Sequence, residues 1–575
     1  MSGARDGVLV DSQTNSRTAA WLPGLRPIAV MFLGFWGLAA TLQFAGNAFR
    51  AEFNGYPDEA AHFVTLTMVR EYIAQGFPTR PFAFAENYYL HYPKVGFGHW
   101  PPFFYVCSAL WSFPAPHSRA WILAFMALIT AATASLVSAS LLRAHGWMAA
   151  AAIGASFVLV PAVQRETSMV MLETLLALTS FCAAWCFAAY LRSGRALDSL
   201  GFGFFASLAI LTKGDGWALG LLPLFAILFS RRWKMLQGAS FWIAAVPVAI
   251  LCLPWQFYTL HMTGQGWDQP NPTISYFLSA LLRFAGILFR ISPVLFILGL
   301  VGVAQTVARP FLAGRPVNPL YAAMSALLLS VWLFHSFVPA GVEERRMIMG
   351  WAGLIVFVPE GFGFVARLSD RILPVGRWRR LVQGAMAAGL FFACGFAIPV
   401  KESYGFSQAA KELLTRSDLR DPVCLVSSND NGEGMLVSEV ALLRPRPERF
   451  FLRATKVLSK TDWAGTDYHS FFHSPGEVAR ALDQLSVGIL VLDLNPGQYN
   501  FEHHRLIGEM VRDNPGLWKL AGIIRPGTHG DPASGVAIYR RAGATPGAGR
   551  IQLDLSGVLN RTLEGNVGKD AKPRP

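Results

Sequence analysis

Tyr56-Pro57-Asp58-Glu59-Ala60-Ala61-His62 sets two adjacent carboxylates about ten residues past the first membrane-length apolar run, and Trp100-Pro101-Pro102-Phe103-Phe104-Tyr105 follows downstream. Charge is expensive to place at the mouth of a membrane bundle, so ionisable groups found there mark function by default. The pair reads as a general base held at the lipid surface. That reading requires a chain that crosses the bilayer many times.

The rest of the sequence meets the requirement. Of 575 residues, 53% are hydrophobic, and the mean hydropathy is +0.37, well above a soluble norm. Apolar runs near the ~20 residues that span a bilayer recur at roughly 27–46, 119–142, 147–163, 168–191, 199–212, 216–230, 239–257, 285–306, 318–338, 347–366 and 381–399. The net charge of +13 is not a nucleic-acid footprint, because the basic residues form no single stripe. Arg143, Arg192, Arg195, Arg231, Arg232, Lys234, Arg309, Arg315 and the run from Arg367 to Arg380 fall between apolar runs and on one side. That side is assigned to the cytoplasm. The N-terminus is then inside and everything after 399 outside, as in a bacterial plasma-membrane protein with a periplasmic C-terminal domain. No disulfide framework or zinc spacing is present among the six cysteines.

The predicted fold class is a polytopic α-helical membrane protein of about eleven spans with a C-terminal extracytoplasmic α/β domain. Its parts are a cytoplasmic polar tail (1–26), a transmembrane domain (27–399) whose first outer loop covers 47–118, an α/β domain (400–555) and a disordered tail (556–575). Residues 100–114 are apolar but short and bracketed by prolines, and are assigned to a helix along the outer interface. Short β-rich runs at 423–427, 450–454, 487–493 and 535–540 alternate with helical patterns, among them the capping box Ser474-Pro475-Gly476-Glu477.

Asp58 and Glu59 head an amphipathic stretch; as helix caps, Asp58 takes the N-cap and Glu59 the first turn. Glu59 and His62 also have the i, i+3 spacing of metal ligands in bundles, which leaves a divalent metal ion open as a cofactor. Lys94, Lys213, Arg345 and Arg346 are cations in short outer segments, where the sorting rule disfavours them; Arg345 and Arg346 have Glu343 and Glu344 as local partners. Lys213 sits in the turn Thr212-Lys213-Gly214-Asp215-Gly216, at the head of a returning helix whose N–H groups favour an anion. Glu173 lies a turn into its span behind Gln164-Arg165-Glu166 and is a functional candidate by depth.

Asp58-Glu59-Ala60, Trp100-Pro101-Pro102-Phe103-Phe104-Tyr105 and Leu211-Thr212-Lys213-Gly214, in this order, resemble the pattern of GT-C fold glycosyltransferases. The closest groups are the protein O-mannosyltransferases and the bacterial aminoarabinose transferases of lipid A. The resemblance covers most of residues 27–366. It implies a multispan enzyme that uses a polyprenyl-phosphate sugar on the extracytoplasmic face, with its acidic catalytic residue at Asp58. It further implies that Glu173 stands where relatives place an aspartate, and that Lys213 is the lysine of a T-K-G turn. Glu344-Arg345-Arg346-Met347 resembles the stretch before a late span. Relatives often carry lysine directly before the two prolines; here Trp100 holds that place, which leaves the phosphate-binding role open between Lys94 and His99.

The resulting expectation is an inverting single displacement, with a sugar passing from a polyprenyl-phosphate-linked donor to a lipid, glycan or protein acceptor. Asp58 and Glu173 are the candidate catalytic residues. Glu59, Lys94, His99, Lys213, Arg345, Arg346, Tyr88 and Trp100 are the candidate substrate contacts, and Glu59 with His62 the candidate metal pair. Two other classes compete. A transporter or flippase of lipid-linked sugars predicts ionisable residues along a path, yet the deep spans hold little beyond Glu173 and Glu360. A non-catalytic envelope assembly protein leaves Asp58 and Lys213 without a purpose.

Overall fold

The computed structural model describes residues 25–96, 98–264, 273–369, 379–460, 468–526, 534–543, 549–555 and 561–567. Most of the expected cytoplasmic tail, residues 370–378 of the basic run, and 556–560 and 568–575 of the expected disordered tail lie outside the described residues.

The membrane region opens with α1 (Leu25–Ala45), and the long loop after it carries α2 (Pro57–Ala74), α3 (Pro81–His91) and α4 (Phe103–Trp111). Then come α5 (Arg119–Leu159), α6 (Pro161–Thr167), α7 (Glu173–Ser193), α8 (Ala196–Thr212), α9 (Leu222–Ser230), α10 (Ala239–Trp242) and α11 (Ala245–Gly264). The remainder are α12 (Ile274–Ile291), α13 (Pro293–Val303), α14 (Arg309–Leu312), α15 (Pro319–Phe337), α16 (Ile348–Leu354), α17 (Val358–Ser369) and α18 (Arg379–Gly395). Among the described residues eight helical stretches are long and apolar enough to cross a membrane, and three more apolar helices are shorter. The protein is a multi-pass membrane protein. With nine residues, α4 is too short to cross.

Two breaks matter. The single span expected at 285–306 is instead the junction of two helices, because Pro293 removes a donor and pushes Ser292 to an extended φ of −164°. At the end of α8, Lys213 is also extended (φ −156°, ψ 146°), and a 3-10 turn, Gly214–Gly220, leads back towards α9. A β-carbon on Gly216 would lie 2.5 Å from the Ala209 carbonyl carbon and the Ile210 nitrogen. The return therefore packs backbone to backbone against α8, and glycine is what permits it.

The C-terminal part contains α19 (Phe406–Thr415), β1 (Val423–Ser427), α20 (Asp430–Leu443), β2 (Phe450–Arg453), α21 (Ala454–Val457), β3 (Ser459–Lys460) and β4 (His469–Ser470). It continues through α22 (Pro475–Gln484), β5 (Ile489–Asp493), α23 (Glu502–Asp513), β6 (Trp518–Ile524), β7 (Val536–Arg541), β8 (Arg550–Leu555) and β9 (Arg561–Asn566). The main sheet has the order β2-β1-β5-β7-β6. β1 pairs in parallel with β2 and β5, while β7 runs antiparallel to β5 and β6. β1, β2 and β5 are buried along their whole length, as parallel strands covered on both faces must be. The serine half of the predicted capping box forms, Ser474 accepting from the Glu477 N–H, while Glu477 reaches one residue past the cap to accept from the His473 N–H.

The tail expected to be disordered from 556 is corrected in part. Residues 561–566 form β9, an antiparallel partner of β8, because Ile551, Leu553, Leu555 and Leu563 all bury on one side of the pair. The core of this C-terminal domain is continuous with the long loop between α1 and α5: Phe63, Leu66, Tyr88, Tyr92 and Phe104 share one buried cluster with Leu425, Leu436, Val440 and Leu490. A second cluster fills the membrane bundle. The loop is thus a layer between the bundle and the sheet, and the candidate site lies in it.

Candidate active site

Pro57 starts α2, with Tyr56 as the N-cap and no side-chain cap bond, so Asp58 is not the cap that the sequence predicts. Asp58 sits in the first turn, where a carboxylate suits the helix dipole and stays free to face outward. It faces Arg345: Nη1 donates to Asp58 Oδ2 at 2.9 Å, and the guanidinium lies 4.5 Å over the Tyr56 ring. Arg345 is also paired with Glu343, the local partner expected, and its Nη1 is 3.9 Å from Glu173 Oε1.

Glu173 opens α7, and Lys213 Nζ donates to its Oε1 at 2.7 Å. Lys213 also stands 3.2 Å from Asp215 Oδ2, and Arg346 Nη1 is 3.3 Å from Asp215 Oδ1. Asp215, in the first turn after Lys213, occupies the anion place that the sequence reserved for a ligand. The second local pair expected, Glu344 with Arg346, does not form; Glu344 takes Arg165 at 2.9 Å. Asp58, Glu173 and Asp215 therefore interlock with Arg345, Lys213 and Arg346, all contributed by segments distant in sequence.

Burial works to raise the Asp58 carboxyl, but the His62 ring and Arg345, by charge and hydrogen bond, outweigh it and hold the group below the usual carboxylate range. Burial also drives His62 down to about 3 against the pull of Asp58. The ring is then neutral near pH 7, so Arg345 carries the effect on Asp58.

The sequence left Lys94 and His99 as alternatives, and the structure separates them. Lys94 is buried and donates to Asp430 Oδ2 at 2.5 Å, at the head of α20. It joins the loop to the C-terminal domain and does not reach the cluster's anion place. His99 stands edge-on to Trp100, ring centroids 4.9 Å apart, and feels the charges of both Asp58 and Lys213; burial pushes its ring down to about 4. Trp100, His62 and Tyr105 form a wall: the His62 and Trp100 rings are 4.4 Å apart, and His62 Nδ1 lies 2.8 Å from the Tyr105 hydroxyl. Beyond that wall is a cavity of about 360 Å³ lined by Thr65, Tyr72, Phe82, Trp100, Trp255 and Tyr258 among others.

Three comparisons bear on this arrangement. No family model and no curated sequence matches the chain. Among solved structures, the chain is similar to ArnT from Cupriavidus metallidurans bound to undecaprenyl phosphate, at 14% identity and a TM-score of 0.55, covering 89% of this chain and 97% of that one. It is also similar to the oligosaccharyltransferase AglB from Archaeoglobus fulgidus in complex with an inhibitory peptide and a dolichol-phosphate, at 12% identity and a TM-score of 0.51, covering 89% and 74%. The fold is GT-C. A GT-C architecture agrees with the fold that the Asp58, Trp100 and Lys213 motifs imply, and it spans bundle, loop and C-terminal domain together.

Within this GT-C frame several expected site residues have other duties. Glu59 is fully buried and accepts from the Gly55 N–H at 2.6 Å, the Val170 N–H at 3.2 Å and Lys401 Nζ at 2.9 Å. It pins the loop to the bundle and to the irregular segment that leads into the C-terminal domain, and has no oxygen to offer a substrate. His62 turns to Tyr105 and Trp100, so the expected metal pair Glu59–His62 does not form. Tyr88 is buried and donates to the Pro445 carbonyl at 2.8 Å, a docking contact and not a sugar platform. Tyr56, Arg165 and Glu166 belong to the site's surroundings and were not singled out. Their signal was available: Arg165-Glu166 interrupts two apolar runs, and Tyr56 precedes the acidic pair.

Proposed function

We propose that this chain is a glycosyltransferase that moves a sugar from a polyprenyl-phosphate donor to an acceptor hydroxyl on the extracytoplasmic face of a bacterial plasma membrane. The observation that carries the reading is the cluster itself: one ionised carboxylate on the rim, Asp58, held by a cation set that faces the same place. Undecaprenyl phosphate in one structural neighbour and dolichol-phosphate in another support the donor class.

In an inverting single displacement the acceptor loses a proton as the sugar–phosphate bond breaks. Asp58 is the base: held below the usual carboxylate range, it is ionised at neutral pH and free to accept the proton. Lys213 and Arg345 stabilise the phosphate that leaves, preorganised by Glu173 and, for Arg346, by Asp215, so little rearrangement is needed when charge develops. Arrival of phosphate competes for Arg345 and releases Asp58 from its strongest partner, which makes the carboxylate more basic when the donor is present. His99 and Trp100 flank the sugar, and the aromatic cavity behind Trp100 takes the apolar chain of a substrate.

The test is release of free polyprenyl phosphate from a panel of polyprenyl-phosphate sugars by the detergent-purified protein. Wild-type release that Asp58→Asn abolishes in a folded protein supports donor class and base together. Turnover untouched by the substitution removes Asp58 from the chemistry.

A further inference from the structure

Tyr56 is the N-cap of α2, a place that favours Ser, Thr, Asp or Asn, yet its side chain makes no cap bond. Local rules broken in this way mark functional positions. Pro57 follows and restricts the Tyr56 backbone to the extended region observed, φ −86° and ψ 162°. The ring is thereby fixed two residues ahead of Asp58, and the Arg345 guanidinium carbon lies 4.5 Å from its centroid. The nitrogens of Arg345 serve other partners: Nη1 donates to Asp58 Oδ2 at 2.9 Å, and Nε donates to Glu343. An aromatic ring thus takes the face of the guanidinium while carboxylates take its N–H edge, a division that a planar cation permits and a lysine lacks. The Asp58 side chain is 32% exposed, so the Asp58–Arg345 bond is open to a ligand at the rim. Arg165, which donates to Glu344 at 2.9 Å, also meets the Tyr56 hydroxyl.

We propose that Tyr56 is a positioning residue: it holds the face of the Arg345 guanidinium while the N–H edge passes from Asp58 to the phosphate of a polyprenyl-phosphate donor. The inference rests on the donor reading above and adds to it the part that stays still. When phosphate takes the Nη1 donor, Arg345 loses a carboxylate but keeps the ring. Without the ring, the long side chain has rotamer freedom to lose on meeting the phosphate, and the anion binds less well. Arg345 is faced by Asp58, Glu173 and Glu343. Asp58 is faced by His62 on its own helix, by Lys94, His99 and Tyr105 from the same loop, and by Lys213 and Arg345. Among the described residues its ion-pair partner is Arg345, so loosening Arg345 registers at Asp58.

The experiment uses the full chain in detergent, with undecaprenyl phosphate as the probe and folding checked by thermal melt. Tyr56→Leu, with Tyr56→Met as a second ring-less variant, is expected to weaken binding about tenfold. Both should also move the Asp58 titration to higher pH, read as the infrared carboxyl band that Asp58→Asn removes. Tyr56→Phe keeps the ring and loses only the hydroxyl contact, so binding is expected within about threefold of wild type, with the Asp58 titration unmoved. In an Arg345→Gln background, loss of the ring should add less than about twofold, because its partner is gone. Equal losses in Tyr56→Phe and Tyr56→Leu would assign the effect to the hydroxyl and overturn the role of the ring. A loss that adds in full to that of Arg345→Gln overturns it as well, since Tyr56 then acts through another group. Ring-less variants that bind and titrate as wild type does remove Tyr56 from the site while leaving the donor reading intact. Wild type that binds no undecaprenyl phosphate removes the donor reading itself, and the proposal with it.

Discussion

At the scale of single residues the site is a balance between Asp58 and Arg345. Asp58→Asn keeps the shape and removes the base, so turnover falls about a hundredfold or more with the melting temperature nearly unchanged; a rate assay beside a melt checks both. Lys213→Met leaves Glu173 buried without its partner at 2.7 Å. It is expected to lose about a hundredfold in rate, whereas Lys213→Arg recovers part of it. The pH profile tests the balance directly. With Arg345 present, Asp58 stays below the usual carboxylate range, so the acid limb of the rate lies below that range. In Arg345→Gln burial prevails, the Asp58 pKa rises, and the acid limb of the residual rate moves to higher pH; an unmoved limb would separate the two residues. Asp58 and Lys213 were legible because a charge at a membrane mouth is conspicuous in one sequence. The Asp58–Arg345 bond was not, because its partners are 287 residues apart and no local pattern encodes such a meeting. The duty of Glu59 was hidden for the same reason: its identity is visible, but its partners Val170 and Lys401 are contributed by the fold.

At the scale of elements, α2 and α20 face each other across the junction of loop and domain. Gly434 of α20 lies so close that an added β-carbon would be 3.2 Å from the Ala60 β-carbon and 3.0 Å from Lys94 Cε. Lys94 seals this junction through Asp430, which also accepts from Arg453. Lys94→Met therefore removes one of two partners from a carboxylate that is 40% exposed. The expected loss is about 1–3 kcal/mol, less than for a fully buried pair broken outright, read as a lowered melting temperature with undecaprenyl-phosphate affinity retained. A loss of affinity without a loss of stability would return Lys94 to the ligand. Elements were legible where one physical signal dominates. β1, β2 and β5 are apolar up to their last residues, Ser427, Arg453 and Asp493, and Ser474 with Glu477 announces α22. β6 was missed because Trp518 is buried while Lys519 and Leu520 are exposed, a pattern with no clean period. The α12–α13 boundary was missed because apolar residues continue through Ser292-Pro293, and hydropathy alone does not register a proline break.

At the scale of the whole molecule the C-terminal domain roofs the site, because its core and that of the first loop are one. A second clamp secures it: Arg119, at the head of α5, donates to Glu439 of α20. Glu439 is buried, and burial, with the added charge of Glu52, lifts its carboxyl to about 7 despite the pull of Arg119. The folded state then binds a proton that the unfolded chain, with an ordinary glutamate pKa, has already lost at mildly acidic pH. Stability linked to this group is complete below the ordinary glutamate pKa and declines as pH rises through about 7. The melting temperature of wild type should therefore fall between about pH 5 and pH 8, and Glu439→Gln, neutral throughout, should flatten the fall. Glu166 is raised for a related reason and contributes a slope of the same sign, so the Gln variant keeps a remainder that Glu439→Gln combined with Glu166→Gln reduces further. A slope unchanged by either substitution would show that the clamp does not titrate, and the roof would then be held by apolar packing between α2 and α20 alone.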